Sequence, residues 1–385
     1  MTLNMRLLFL AAANPEAPIV LDLSRNLAPR PLVPPNLDFD MSEQKSALNV
    51  VMGAMTFGYE GTEGSRLHTP EAVSEVLDVF QKHGHKEIDS ARVYTKGSSE
   101  ELLGKIDHKT RGLLYDTKLY PVGVVKGINK VLDDMAAGNV ITHKPDSLRE
   151  NLDKSLKAMN IDCLEMWYLH GPDRSTPYEE TLRAVNELYK EGKFKRFGIS
   201  NYHSWEVAEI VTICRQNGWI QPTAYQGIYN AIYRGVEPEL FPCLRKFGLS
   251  FYAFNALAGG FFTGKYTPQT EESATAGQRF DPKSGQGQLY RARYWNDRYF
   301  AALDLLRPLC EKHGLTLGEV GLRWMSHSSL LSREHGDSVI IGASSTKHLE
   351  QNLVDLEKGP LPEDVVQALD EAWNLVMPIA YKYWH

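Results

Sequence analysis

The 385-residue sequence is poor in cysteine: Cys163, Cys214, Cys243 and Cys310 stand far apart and form no CxxC pair. That argues against a disulfide framework or a structural zinc site and points to a reducing compartment. Long apolar runs are also missing, and none approaches the ~20 residues of a membrane span. Basic residues are not in excess. Lys and Arg total 42 against 48 Asp and Glu, a formal net charge of −6, whereas nucleic-acid binders usually show a basic face. His83 and His85 flank Gly84, but Gly84 reads as a helix stop and no cysteine or carboxylate spacing completes a metal site. The expectation is a cytoplasmic chain without metal, membrane or nucleic-acid partner.

Hydrophobic residues make up 43% of the chain, enough for one large domain or two smaller ones. The first forty residues stand apart. They hold one short apolar run, Leu7 to Ala13, after Arg6, followed by Pro31, Pro34 and Pro35. A secretory signal would need a longer apolar core and a clear cleavage site. Residues 1–43 read as a disordered extension or an over-extended start, because Met41 directly precedes the first patterned segment; 44–385 is the folded part.

From residue 48 short apolar runs alternate with amphipathic stretches. The runs are Val50–Phe57, Glu87–Ala91, Leu113–Leu119, Cys163–His170, Arg196–Ser200, Thr223–Ile228, Leu249–Phe254 and Val339–Gly342. Between them, Ser147 with Glu150 and Thr176 with Glu179 fit capping boxes. Leu182, Val185 and Tyr189 then recur at helical spacing before a stop at Gly192. Eight strand–helix units predict an α/β fold, a single-domain (β/α)8 TIM barrel. A doubly wound sheet would carry GxGxxG after its first strand; Gly58, Gly61 and Gly64 do not match it. Two stretches break the rhythm, an insertion over 121–142 and a polar Gly- and Tyr-rich loop over 269–296. In a barrel both lie over the C-terminal face and are candidate lids, although the first also reads as a plain surface insertion.

Asp89 ends the second run and Tyr94 follows it; Lys118 ends Asp116-Thr117-Lys118, and His170 ends the fourth run. Each has a dull explanation alone: a cap, an outward hydroxyl, an ordinary lysine, a satisfied strand-end histidine. Together, at one barrel mouth, they fit carbonyl reduction, in which a proton must reach the developing alkoxide. A tyrosine of reference pKa ~10 needs its anion stabilised, a neighbouring ammonium does that, and a carboxylate balances the lysine.

With these residues the sequence resembles the aldo-keto reductase superfamily, and within it the aflatoxin-aldehyde reductase branch. The motifs are Met52-Gly53-Ala54-Met55, the Asp89/Tyr94/Lys118/His170 set, Gly198-Ile199-Ser200-Asn201, Leu257-Ala258-Gly259-Gly260 with Thr263-Gly264-Lys265-Tyr266, and Ile341-Gly342-Ala343-Ser344-Ser345 with Glu350-Gln351-Asn352. The resemblance implies NADP(H) bound in extended form and a small-molecule carbonyl substrate, a secondary metabolite or xenobiotic; it leaves a homodimer open. It makes Tyr94 the general acid, Lys118 and Asp89 its activators and His170 the substrate-orienting residue. Ser200, Asn201 and Gln226 would meet the nicotinamide amide, with Phe254 stacking on the ring. Asn255, Leu257, Gly259, Gly260 and Lys265 would follow the pyrophosphate, and Arg293, Ser344, Ser345, Gln351 and Asn352 the adenosine half. Met55, Asp89 and Gly342 complete the cofactor set.

Gly259 to Lys265 also matches GxxxxGK, but Tyr266 stands where a phosphate-binding loop needs Ser or Thr for Mg²⁺. Tyr290 lines the substrate pocket, or with Tyr294 and Trp295 merely pins the loop. His385 is a substrate-pocket residue where relatives that reduce acidic aldehydes carry an arginine able to clamp a carboxylate. This predicts a neutral or bulky carbonyl. His348 stands where NADP(H)-preferring members often have arginine, and Ala256 replaces a usual proline. The competing class is a cofactor-loaded regulatory subunit resembling potassium-channel β-subunits.

Overall fold

A computed structural model describes residues 44–123 and 140–385. Eight strands form in chain order: β1 (Asn49–Gly53), β2 (Glu87–Asp89), β3 (Leu114–Leu119), β4 (Leu164–Leu169), β5 (Phe194–Ser200), β6 (Ala224–Ile228), β7 (Ser250–Phe254) and β8 (Ser338–Gly342). All pair in parallel, and β8 returns to β1 with Val51 opposite Ile340, so the sheet closes. This is the eight-stranded α/β barrel that the alternation predicts. Each apolar run is a strand because both of its faces are covered, one by barrel interior and one by helices.

The outer layer is built from α1 (Pro70–Lys82), α2 (Ser98–Leu103), α3 (Pro145–Met159), α4 (Tyr178–Lys190), α5 (Ser204–Asn217), α6 (Leu240–Phe247), α7 (Gly285–Tyr294), α8 (Asp297–His313), α9 (Leu317–His327), α10 (Thr346–Glu357) and α11 (Glu363–Val376). α1 shows how they start: the Thr69 side chain accepts from Ala72 N–H and Pro70 occupies the first turn, where its missing N–H costs nothing. Val73, Val76, Leu77 and Phe80 then face the sheet, all buried. No helix among the described residues is long and apolar enough to cross a membrane.

Both predicted capping boxes begin elsewhere. α3 starts at Pro145 and α4 at Tyr178 after Pro177, because proline pre-sets the first helical turn. Ser147 Oγ instead accepts from Thr142 N–H at 3.1 Å, and Thr176 Oγ1 donates to Asp173 at 2.8 Å. The buried stripe of α4 runs through Leu182, Val185 and Leu188, while Tyr189 is exposed. The 269–296 stretch is not a plain loop: it holds α7, started by Ser284 accepting from Gly287 N–H. Most of the 121–142 insertion lies outside the described residues; at its edges Val122 and Ile141 form an antiparallel bridge.

Within the barrel Val51, Met166, Tyr168, Ala224, Tyr252 and Ile340 form an apolar plug. Beside it lie buried charged residues: Glu87 and Asp89 on β2, Asp116 and Lys118 on β3, Arg196 on β5. Period-two alternation puts each strand's pair on one face, and the β2–β3 register sets Asp89 opposite Asp116.

Candidate active site

The C-terminal strand ends bring the predicted set together. Asp89 is the last residue of β2, Lys118 the penultimate residue of β3, and His170 directly follows β4. Lys118 Nζ donates to both Asp89 oxygens and to the Ser90 carbonyl, each at 2.6 Å. The same ammonium lies 5.0 Å from the centre of the Tyr94 ring. Tyr94 meets His170 edge to face, with centroids 5.9 Å apart. Among the described residues the Tyr94 hydroxyl makes no hydrogen bond, so its proton is free for an incoming group.

Burial governs the electrostatics. It pushes the Tyr94 hydroxyl well above its ordinary range, helped by the Asp89 charge. Burial also pulls the Lys118 ammonium down, against the upward hold of Asp89. His170 is pulled well below the usual imidazole range, by burial first and then by Lys118 and His385, so it is neutral at pH 7. Among the described residues its Nδ1 is buried without a partner.

Around this mouth stand the predicted cofactor contacts. Ser200 ends β5, and Asn201, at φ 65°, donates from Nδ2 to the His170 carbonyl at 2.8 Å and to Ser200 Oγ at 3.0 Å. Gln226 donates to Asp89 Oδ1 at 2.8 Å, which ties β6 to the carboxylate at the end of β2. Half-buried Phe254 ends β7. Beyond it Asn255 (φ 70°) and Ala258 (φ 51°) turn left-handed, and Gly259 and Gly260 follow at 68° and 95°. Asn255 Nδ2 donates to Tyr294 at 2.8 Å; Leu257 is half-buried. A Cβ on Gly259 would strike the Tyr290 ring at 2.3 Å, whereas one on Gly260 would meet nothing within 4 Å. Gly260 therefore opens a cradle, and a tight 3₁₀ turn over Ala258–Thr263 stands where a phosphate-binding loop would start its helix.

Arg279 lies against this cradle. Its Nη1 contacts Met55 Sδ at 3.4 Å and donates to Tyr290 Oη at 3.2 Å, and its Cδ lies 3.2 Å from where a Gly259 side chain would begin. Lys265, further out, donates to Gln278 at 2.6 Å. At β8, Gly342 is exposed, Ser344 Oγ pairs with His348 Nδ1 at 2.8 Å, and Ser345 caps α10. On α10, Gln351 donates to Asp355 at 3.0 Å and Asn352 is half-buried. A turn with an open glycine, two cations and a capped helix start fits the phosphates and adenosine of a dinucleotide.

Arg293, expected at the adenosine half, lies among aromatic rings and beside His385. Its guanidinium lies 5.8 Å from the Tyr290 ring and 5.0 Å from the Tyr381 ring. It is close enough to His385 to lower that imidazole. It is buried, and among the described residues it makes no hydrogen bond or ion pair. Sequence reasoning missed Arg279, which no spacing rule marks inside a polar loop. It also missed Tyr120, although strand parity with Lys118 turns both toward the mouth.

An eight-stranded α/β barrel with a tyrosine, a lysine–aspartate pair and a histidine at its C-terminal face defines a class of enzymes rather than one protein. Comparison with known proteins narrows it. The Aldo/keto reductase family model matches residues 49–374. The chain is 50% identical to an aldo-keto reductase of Pseudocercospora fijiensis over 78% of this chain and 97% of that protein. It is 43% identical to the aldo-keto reductase pigE of Monascus ruber, over 89% and 98%. It is 42% identical to aflatoxin B1 aldehyde reductase member 4 of Homo sapiens, over 87% and 97%. The chain belongs to the aldo/keto reductase family of oxidoreductases.

Proposed function

We propose that this chain reduces an aldehyde or ketone to the alcohol with NADPH, and that Tyr94 supplies the proton. The observation that carries the reading is the buried ammonium of Lys118, held by Asp89 at 2.6 Å and lying 5.0 Å from the Tyr94 ring centre. A bound nicotinamide supplies the hydride. Tyr94 stays protonated at neutral pH and donates from Oη to the developing alkoxide; the Lys118 charge then stabilises the tyrosinate left behind. Asp89 keeps Lys118 charged in a site that would otherwise strip its proton. Neutral His170 donates one ring N–H to the carbonyl oxygen and fixes its distance from Tyr94.

Ser200, Asn201 and Gln226 would hold the nicotinamide amide and Phe254 would stack on its ring. Asn255, Leu257, Gly259, Gly260, Lys265 and Arg279, with Met55, would hold the pyrophosphate. Gly342, Ser344, Ser345, His348, Gln351 and Asn352 would take the adenosine end.

We move Arg293 from the adenosine end to the substrate. The neutral or bulky substrate expected from the sequence draws on the insertion after Lys118, Ala256 and His385, and Arg293 lies close enough to His385 to lower its imidazole. The naming of several relatives as aflatoxin B1 aldehyde reductases supports a secondary-metabolite or xenobiotic carbonyl. The test is NADPH oxidation with 4-nitrobenzaldehyde: wild type turns over and Tyr94→Phe does not. Absence of turnover in wild type, or full turnover in the variant, defeats the reading.

A further inference from the structure

Tyr94 lies in the connection between β2 and α2, and the backbone beyond it is costly to hold. Thr95 (φ 46°) and Lys96 (φ 57°) are left-handed in succession, and Gly97 follows at φ 93°. Residues with a Cβ resist this region because it crowds a neighbouring carbonyl oxygen, and a β-branched threonine resists it strongly. Such outliers persist only where the surroundings hold them, and they gather at functional sites. Among the described residues the Tyr94 hydroxyl has no hydrogen-bond partner. Its own polar atom therefore does not fix where it points, and that task falls to the backbone.

Thr95 is the residue that is held. Its Oγ1 donates to the Phe57 carbonyl at 2.7 Å, and its own carbonyl accepts from Ser98 Oγ at 2.7 Å. Phe57 is fully buried in the segment that follows β1, and Thr95 is buried against it. Gly58 is the space into which the threonine fits: a Cβ there would lie 2.6 Å from both Thr95 Cβ and Oγ1. Gly58 is not left-handed, so it is a glycine for room rather than for rotation. The other side of Tyr94 is tied as well. Arg92 N–H donates to the Lys118 carbonyl at 3.0 Å, and Arg92 Nη1 to Glu100 at 2.7 Å. Glu100 in turn accepts from Thr117 Oγ1 at 2.6 Å. Tyr94 is thus anchored to β3 from before and to the end of the β1 segment from behind.

We propose that Thr95 is a positioning residue for the proton donor: tethered to the Phe57 carbonyl in a left-handed conformation, it keeps the Tyr94 ring set against Lys118 and His170 while leaving the hydroxyl free. Thr95 contributes no group to the reaction. It spares the enzyme the search for the reactive geometry at each turnover. The proposal rests on the reading of Tyr94 as proton donor, and its test separates the two.

The first arm measures kcat and KM for 4-nitrobenzaldehyde. Thr95→Val keeps the shape and removes the donor, whereas Thr95→Ser keeps the donor. A misplacement of about 1 Å costs about 100-fold in rate, so a loop released in part loses about tenfold or more in kcat in Thr95→Val. KM and NADPH affinity stay within about twofold of wild type, because the loss falls on the chemical step and not on binding. Thr95→Ser turns over near the wild-type rate. Gly58→Ala, which leaves Thr95 intact and crowds its side chain, gives the same fall in kcat as Thr95→Val. An unchanged kcat in Thr95→Val or Gly58→Ala, a loss through KM alone, or a Thr95→Ser as slow as Thr95→Val overturns the proposal. The second arm needs no turnover: fluorine NMR with 3-fluorotyrosine in place of Tyr94. Its line shifts or broadens in Thr95→Val and holds in Thr95→Ser. A line that stays unmoved in Thr95→Val overturns the proposal. A line that moves, in a chain whose Tyr94→Phe variant turns over as fast as wild type, upholds the placement and sinks the reductase reading instead.

Discussion

Lys118 and Asp89 close on each other inside the barrel, Nζ 2.6 Å from both carboxylate oxygens, with side chains 0% and 4% exposed. A buried pair of this kind repays its desolvation only while both partners are present. Removing one typically costs about 3–5 kcal/mol, because the other is left as an uncompensated charge. Lys118→Met should therefore lower both stability and turnover. Asp89→Leu combined with Lys118→Met should recover much of the stability and none of the turnover. Denaturant unfolding with an aldehyde assay distinguishes the outcomes; a double variant as unstable as the single one would mean that the pair is structural in some other way.

The pH dependence of reduction follows from the two rings at the mouth. Burial, with the Asp89 charge behind it, raises Tyr94 well above its ordinary value, and burial lowers His170 well below its own. Tyr94 keeps its proton, and His170 stays neutral, across the pH range between those two shifted values. Reduction kcat/KM should be flat from about pH 6 to about pH 9. Alcohol oxidation, which needs Tyr94 as a base, should climb with pH. A loss of reduction centred near pH ~7 would assign the proton to a different group.

Asp116 gives a stability prediction that is independent of catalysis. It is fully buried against the Glu87 carboxyl, with which it shares a side-chain hydrogen bond, and among the described residues no other donor reaches its oxygens. Glu87 and Asp89 on β2, Lys118 on its own strand, Tyr168 on β4, Arg196 on β5 and Tyr252 on β7 surround it. Burial, then the Glu87 and Asp89 charges, raise it well above the carboxylate range. A carboxyl raised on folding binds its proton more tightly in the folded chain. Its contribution is present at low pH and declines as pH rises above the unfolded value of about 3.9. Asp116→Asn removes that decline, so the gain in Tm over wild type should grow between about pH 5 and about pH 8. A gain that does not vary with pH would mean that Asp116 is ionised throughout.

The barrel was legible because each strand is covered on both faces and reads as a short apolar run between polar turns. Asp89, Lys118 and His170 were legible because strand ends at one barrel face must converge. Helix starts were misread at Ser147 and Thr176, where neighbouring prolines outweigh a side-chain cap. Tyr189 was misjudged for Leu188, a one-residue phase error that only packing resolves. The pairing of Tyr120 with His385 spans 265 positions, and no periodicity links a strand end to a segment folded across the mouth. Arg293 likewise lies 5.0 Å from the ring of Tyr381 in that segment, a neighbour that no motif announces.

Arg279 ties the glycine turn to Met55 and Tyr290. Its guanidinium touches Met55 and Tyr290 beside the Gly260 cradle, and its charge, after burial, helps to lower nearby Arg66. Two like charges held close favour an anion between them, and the pyrophosphate is common to NADPH and NADH. Arg279→Met should weaken both dinucleotides alike, about tenfold or more, the scale of one charge-assisted contact. Ser344→Ala, at the adenosine end, should weaken NADPH more than NADH. Quenching of tryptophan fluorescence measures all four affinities. A loss confined to NADPH in Arg279→Met would move this arginine to the 2′-phosphate, and the open glycine would then need another cation to hold its anion.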